Sequence, residues 1–328
     1  MELDNEYILT IARYGSFSKA ADVLHMTQPA LSIAIRKAET RLGMPLFDRK
    51  KHPLQLTEAG AIYIRGLRKI RTVEETMQRQ LKDLADLITG SLRIGGSHYL
   101  NAHILPPLLT HFSSSYPGIQ IDLLESSSAH LASLLKERQL DLTFSCDPEF
   151  VAAFRHYRIF HDTILLAVPS AHPFQQQYGQ YALSAEQVAA EKYLEASCPV
   201  LPLEALSALD YILLRPGNNL HDRVAELFRA AGCVPRIKTQ VSQLATAYHL
   251  AKAGYAAAFI CNRLVNPYDR GLAFYKVGLP VTDREFFLLL PQKEYTPRAV
   301  KAFIRFCQEY QSKDGGQDAN PHLHDLGV

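Results

Sequence analysis

The chain has 328 residues, 47% hydrophobic and 21% charged, with a formal net charge of +2, which allows two domains with sizeable cores and excludes global disorder. Its five cysteines (Cys146, Cys198, Cys233, Cys261 and Cys307) are dispersed without CxxC spacing, which argues against a disulfide framework or zinc site and for a reducing compartment. No stretch reaches about 18 uninterrupted apolar residues, so no spanning helix or membrane partner is expected, and the opening MELDNEYILT lacks the basic and apolar regions of a signal peptide.

The charge is uneven. Residues 1–71 carry a net +5 and the rest a net −3, which suits a phosphate-facing module on a body that does not touch nucleic acid. The first predicted helix runs from Leu3 to Tyr14, with Leu3, Tyr7, Ile8, Ile11 and Ala12 on one face and Gly15 closing it. Ser16 or Ser18 can cap a second helix carrying Ala20, Ala21 and Leu24, whose small alanines permit close helix packing. His25-Met26 make a turn. Thr27 caps a third helix with Pro29 in its first turn, where a missing N–H costs nothing. Leu31, Ile35, Ala38 and Leu42 form its buried stripe, so Gln28, Ala30, Ser32, Ile33, Arg36 and Lys37 point outward, and Gly43 ends the helix.

Leu46-Phe47 and Leu54-Gln55-Leu56 read as two short strands flanking the cationic tip 48–53, with Arg49, Lys50 and Lys51 placed for phosphates or a minor groove. The layout is a winged helix-turn-helix, which lays one helix in the major groove of double-stranded DNA. The helix's N-terminal end meets base edges there: glutamine can pair with adenine, and alanine can meet a thymine methyl.

Thr57 caps a long helix reaching about Ile88, with Leu67, Ile70, Val73, Met77, Leu81, Leu84 and Ile88 in steps of three and four. A heptad-like seam of this length calls for a partner, most simply a second copy. After Gly90 the pattern alternates. Strands are expected at 92–94, 119–124, 140–144, 163–168, 210–214, 236–241, 257–260 and 284–290. Helices are expected at 103–112, 129–137, 188–196, 224–231, 244–253 and 298–309. The alternation gives an α/β body of two subdomains, 90–161 with 267–311 and 162–266, the chain crossing near Phe160 and Asn266. A Gly/Asp/His-rich tail, 312–328, is expected to be disordered.

In open α/β sheets ligands sit at the carboxyl ends of strands. That places Ser97, His98 and Tyr99, Ser126 and Ser128, Leu213 and Arg215, and Thr246 around a cleft suited to a small anion. Ser126 to Ser128 can equally cap the following helix. No catalytic residue, metal site or cofactor is expected: GxSxG, P-loop, HExxH and GxGxxG patterns are absent, and His322 and His324 lie in the tail with no third ligand. Transport-type solute binding fits the body but not the basic module, and a redox sensor fits poorly with cysteines this scattered.

Gly15-Ser16-Phe17-Ser18, Ala20-Ala21, Leu24, Thr27-Gln28-Pro29-Ala30-Leu31-Ser32, Ile35, Glu39, Leu42-Gly43, Leu46-Phe47, Arg49, and Leu56-Thr57 with Ala59-Gly60 resemble, in order, the DNA-binding domain of LysR-type transcriptional regulators. Gly90, Leu92-Arg93-Ile94-Gly95, Leu105-Pro106, Phe112, Tyr116-Pro117, Leu140-Asp141 and Ala253-Gly254 resemble that family's effector domain, itself similar to periplasmic solute binders. The resemblance implies a cytoplasmic, non-enzymatic regulator with a winged helix-turn-helix over 1–57, a linker and dimerisation helix over 58–89 and an effector domain over 90–311. It implies a homodimer or homotetramer on an interrupted palindromic operator, a small-molecule effector, and RNA polymerase as a further partner. The implied DNA-facing set is Ser16, Thr27, Gln28, Pro29, Ala30, Ser32, Ile33, Arg36, Lys37, Arg49, Lys50 and Lys51. Ile33 stands where the family usually carries a polar or basic residue, and Ala38 where it carries leucine.

Overall fold

Local punctuation starts and stops the N-terminal helices in a computed structural model that describes residues 3–51, 53–84, 90–292 and 295–314. Helix α1 (Leu3–Tyr14) ends at Gly15 and α2 (Phe17–Val23) starts from Ser16, whose hydroxyl accepts from the Lys19 amide. Thr27 does the same for α3 (Gln28–Leu42) through the Ala30 amide, and Gly43, at φ +71°, reverses the chain after it. Ile8, Ile11, Ala20, Ala21, Leu31, Ile35 and Ala38 interlock as one core. Leu42 departs from the expected stripe: at the last turn of α3 it stays 40% exposed.

The wing is β1 (Phe47–Asp48) paired antiparallel with β2 (Gln55–Leu56). Thr57 caps α4 (Glu58–Leu84) through the Gly60 amide. Ile64 and Leu67 of α4 join the N-terminal core, so Leu67 leaves the expected seam, while Ile70, Val73, Met77 and Leu81 are each more than half exposed. The expected continuation to Ile88 falls outside the described residues, as does His52 at the wing tip. Residues 1–87 form one compact unit and 88–328 another.

The second unit opens with β3 (Gly90–Gly96), a π-helical turn over Leu100–Ile104, α5 (Leu105–Ser115), β4 (Ile119–Glu125), α6 (Ser128–Lys136), β5 (Leu142–Ser145) and α7 (Pro148–Ala153). The long β6 (Arg155–Pro169) follows, then α8 (Phe174–Tyr178), β7 (Ala182–Leu183) and α9 (Ala185–Ala189). The chain continues through β8 (Asp210–Leu214), α10 (Asn219–Ala230), β9 (Arg236–Val241), α11 (Leu244–Lys252), β10 (Ala257–Cys261), β11 (Leu272–Lys276), β12 (Asp283–Leu290) and α12 (Arg298–Asp314).

The strand order β4-β3-β5-β12-β6-β10-β8-β9 makes two parallel cores, β4-β3-β5 and β10-β8-β9, joined through antiparallel β12 and β6. Strand β6 belongs to both halves: its first part pairs with β12 and its second with β10 and β11.

Four sequence expectations are corrected. The return crossing lies between β11 and β12, over 277–282, rather than near Asn266, because β11 pairs with β6 and β7 in the second half. The helix expected at 188–196 is only α9 and a short 3₁₀ turn at Lys192–Leu194. Helix α10 begins five residues before Val224, since Asn218 caps it through the Leu220 amide. Helix α12 runs through Asp314, past the expected start of the tail; 315–328 lie outside the described residues.

Candidate DNA interface and effector cleft

The outward surface of α3 is built by its inward one. Leu31 and Ile35 are fully buried, each contributing about 2 kcal/mol by burial. Their spacing leaves Gln28, Pro29, Ala30, Ile33, Arg36 and Lys37 exposed, with Ser32 half-buried. Ile33 is 55% exposed, a large apolar side chain held in solvent on the face expected to meet bases. Ser16 is half-buried and Thr27 exposed, and the hydroxyl oxygen of each accepts a helix-capping bond.

At the wing, Asp48 accepts from the Lys50 amide at 3.1 Å and fixes the turn, leaving Lys50 and Lys51 exposed. Arg49 turns inward instead. Its guanidinium donates to Ser32 Oγ at 3.1 Å and to Glu39 Oε2 at 3.0 Å, and sits 5.0 Å from the Phe17 ring centroid. Glu39 Oε1 accepts from the Leu46 and Phe47 amides at 2.8 and 3.3 Å. Arg49 is therefore not the free cation expected beside Lys50 and Lys51. Glu39 and Phe17, unassigned by sequence reasoning, are its partners; only the ordered motif match had singled them out.

In the second unit the loops after β3 and β4 meet, with the Ser126 amide donating to the Gly96 carbonyl at 3.3 Å. Ser97, His98, Ser126 and Ser128 are each half-buried in the segments that follow these two strands. His98 Nδ1 lies 3.1 Å from Glu125 Oε1, so the histidine already has a carboxylate partner. The cap of α6 is Ser127, which accepts from the His130 amide at 3.4 Å and leaves Ser128 in the first turn.

Tyr99 is buried and donates to Asp162 Oδ2 at 3.0 Å. Burial raises its pKa, and the neighbouring Cys261 and Asp162 add to the rise. Arg215 and Thr246 are exposed at the ends of β8 and the start of α11. Helix α11 begins at Gln243 without a side-chain cap, so its first amides keep their donors. Leu213 is elsewhere: it lines an apolar pocket of about 300 Å³ between α10 and β8-β9.

Sequence reasoning missed the groups that join the two halves of this unit. Asp162 on β6 and Arg284 on β12 pair at 2.7 and 2.6 Å, with side chains 0% and 5% exposed. Desolvation opposes the guanidinium's charge, but Asp162 beside it, with Cys261 and Cys146, leaves its pKa well above the usual value. Cys146 at the end of β5 donates to Asn219 Oδ1 at 3.1 Å, and Arg223 of α10 donates to the Val281 and Asp283 carbonyls. A carboxylate opening the apolar run Thr163–Val168 was the available signal for Asp162. Among the described residues no cluster of three metal-ligating side chains occurs, and no helix is long and apolar enough to cross a membrane.

The family profile "Bacterial regulatory helix-turn-helix protein, lysR family" matches residues 4–61, and "LysR substrate binding domain" matches 85–195 and 187–312. The chain is 26% identical over 304 residues to the uncharacterized HTH-type transcriptional regulator YcgK of Bacillus subtilis (strain 168), covering 93% of each. Full-length CbnR complexed with its target DNA superposes with a TM-score of 0.63 at 22% identity, over 94% of this chain and 99% of that one. The effector binding domain of QuiR in complex with shikimate superposes with a TM-score of 0.54 at 18% identity, over 69% of this chain and 98% of that one.

Proposed function

Because the chain belongs to the LysR family of bacterial transcriptional regulators, we propose that it reads an interrupted palindrome as a homodimer or homotetramer, with α3 in the major groove, and changes its grip when a small anion fills its cleft. At the coarser level the chain is a regulator with a DNA-binding and an effector-binding domain, not an enzyme. A regulator of chromosomal DNA acts in the cytoplasm, with RNA polymerase as its further partner.

The observation that carries the DNA reading is the exposed N-terminal face of α3, where Gln28, Ala30 and Ile33 stand clear of the core. Gln28 suits an adenine edge, and Ile33 suits a thymine methyl. Lys50 and Lys51 hold the backbone. The apolar row Ile70, Val73, Met77 and Leu81 supports self-association through α4, since an exposed row of this kind wants a second copy of itself.

Footprinting on the DNA upstream of the chain's own gene is expected to show specific, salt-sensitive protection. Gln28→Ala relaxes preference at one base pair per half-site. Lys50→Ala weakens all sequences alike and lowers the salt slope by about 1. Identical behaviour of the two variants would refute this division of roles.

For the effector, the hydroxyls of Ser97 and Ser128, the open start of α11 and Arg215 offer donors to an organic acid. CbnR is described with DNA and QuiR with shikimate, which supports both halves of the reading by analogy of fold alone. A thermal-shift screen of organic acids and amino acids is expected to yield a ligand that stabilises the chain by about 2.7 kcal/mol at a hundred times its Kd. Ser97→Ala should abolish that shift; a shift of undiminished size would remove Ser97 from the site.

A further inference from the structure

We infer that Arg49 acts on DNA through Ser32: it occupies one lone pair of the Ser32 hydroxyl and so presents the O–H as a donor to a base-edge acceptor in the major groove. The inference rests on α3 being the reading helix and assigns Arg49 a positioning role within it.

A serine hydroxyl has one donor hydrogen and two acceptor positions. Within a helix that hydrogen can return to the carbonyl four residues back or point outward. Three other hydroxyls in this unit return it: Thr40 to the Arg36 carbonyl at 2.8 Å, Thr72 to Arg68 at 2.9 Å and Thr76 to Thr72 at 2.7 Å. Among the described residues Ser32 donates to no carbonyl; its one bond is the one it accepts from Arg49 Nη1 at 3.1 Å. A cation on the oxygen makes the hydroxyl a stronger donor, as in other charge-assisted bonds. Ser32 lies four residues after Gln28, near the α3 end that meets base edges, and it is half-buried, so its environment restricts the directions left to the hydrogen.

Arg49 is itself clamped. Glu39 Oε2 takes its second terminal nitrogen at 3.0 Å, and the Phe17 ring lies 5.0 Å away. Glu39 is tied in turn to the Leu46 and Phe47 amides, and its side chain is only 12% exposed. The guanidinium's planar fork spans Ser32 and Glu39 together, which a lysine's single ammonium group cannot reproduce. The wing strand, the end of α3 and the reading face are thus joined through one side chain. The wing's position then sets which way Ser32 points.

The test uses the full chain and a duplex selected from a random library by the wild-type protein. Affinities are measured for that duplex and for every single base-pair change, across a range of salt. Ser32→Ala is expected to lose roughly five- to hundred-fold discrimination at one base pair per half-site. Arg49→Lys, which keeps the charge, is expected to lose discrimination at the same base pair with an unchanged salt slope. The double variant should lose no more than either single one, because both remove one contact. Ser32→Thr, which keeps a hydroxyl, should retain most of the discrimination.

The inference is overturned if Arg49→Lys keeps full discrimination, or if it weakens every duplex equally. Arg49→Gln lowering the salt slope by about 1 would also overturn it, since that marks a phosphate ligand. If Arg49→Lys unfolds the unit, Glu39→Gln gives the same readout, loosening Arg49 without changing its size. Gln28→Ala separates this inference from its premise. If Gln28→Ala relaxes preference and Arg49→Lys does not, only the Arg49 role fails. If neither Gln28→Ala nor Ser32→Ala alters preference, α3 is not the reader.

Discussion

Asp162→Asn is expected to lower the unfolding free energy of the effector unit by about 3–5 kcal/mol, more than a hundred-fold in the unfolding equilibrium. The carboxylate receives two bonds from Arg284 and one from Tyr99 in a site with 0% exposure. Asparagine keeps the size but leaves the Arg284 guanidinium buried beside a neutral amide. Pairing Asp162→Leu with Arg284→Met removes both charges and should recover most of the loss, because desolvation then vanishes with the attraction. Urea unfolding of the full chain, followed by a probe in the second unit, measures both. A single variant losing under 1 kcal/mol, or a double variant less stable than the single, would show that the pair is not mutually compensating.

The position of this pair gives the prediction functional weight. Asp162 and Arg284 face each other in the register of β6 and β12, the strands through which the two halves are joined. Tyr99, which bonds to Asp162, follows Ser97 and His98 in the helical segment that starts just after β3. A ligand that repositions that segment acts on the crossing strands through one hydrogen bond. Thermodynamic coupling of this sort requires the ligand to prefer one arrangement of the halves. Asp162→Asn should therefore also change the size of any effector-induced thermal shift.

What the sequence revealed tracks how local each determinant is. Thr27, Pro29 and Gly43 act within one turn of their own helix, so the bounds of α3 were legible from the chain. The strands β8 and β9 begin and end where the apolar pattern places them. Arg49 was misplaced because its partners lie 10 and 17 positions away, and a basic run at a turn looks the same whether its side chains point out or in. The first half of β6, Arg155 to Asp162, was missed for a similar reason. Its charged and histidine residues resemble a loop until β12 supplies the facing strand. Strand β11 went unseen, which moved the return crossing. The ends of β3 and β4 were legible from the apolar pattern. Glu125 as the partner of His98 was not, since that pairing spans 27 positions.

Gly60→Ala and Gly66→Ala should move stability in opposite directions although they lie on the same helix. A Cβ at Gly60 would sit 2.0 Å from the Leu46 carbonyl oxygen and 2.9 Å from its carbon, far inside contact distance. That carbonyl has little room to retreat. It accepts from the Thr57 amide at 3.0 Å, the Leu46 amide donates to Glu39 at 2.8 Å, and the Leu46 side chain is 1% exposed. An alanine must therefore push β1 off α4, at a cost of about 3 kcal/mol, the upper end of overpacking. Because Leu46 and Phe47 hold Glu39, and Glu39 holds Arg49, the wing and the outward face of α3 are disturbed together. DNA binding should fall for every sequence. At Gly66 an added Cβ meets nothing within 4 Å, so alanine brings only its helix propensity, a gain of about 0.5–1 kcal/mol. Thermal unfolding of the first unit and duplex affinity test the pair. Gly60→Ala leaving both unchanged would mean that the close approach of α4 to Leu46 does not hold the wing.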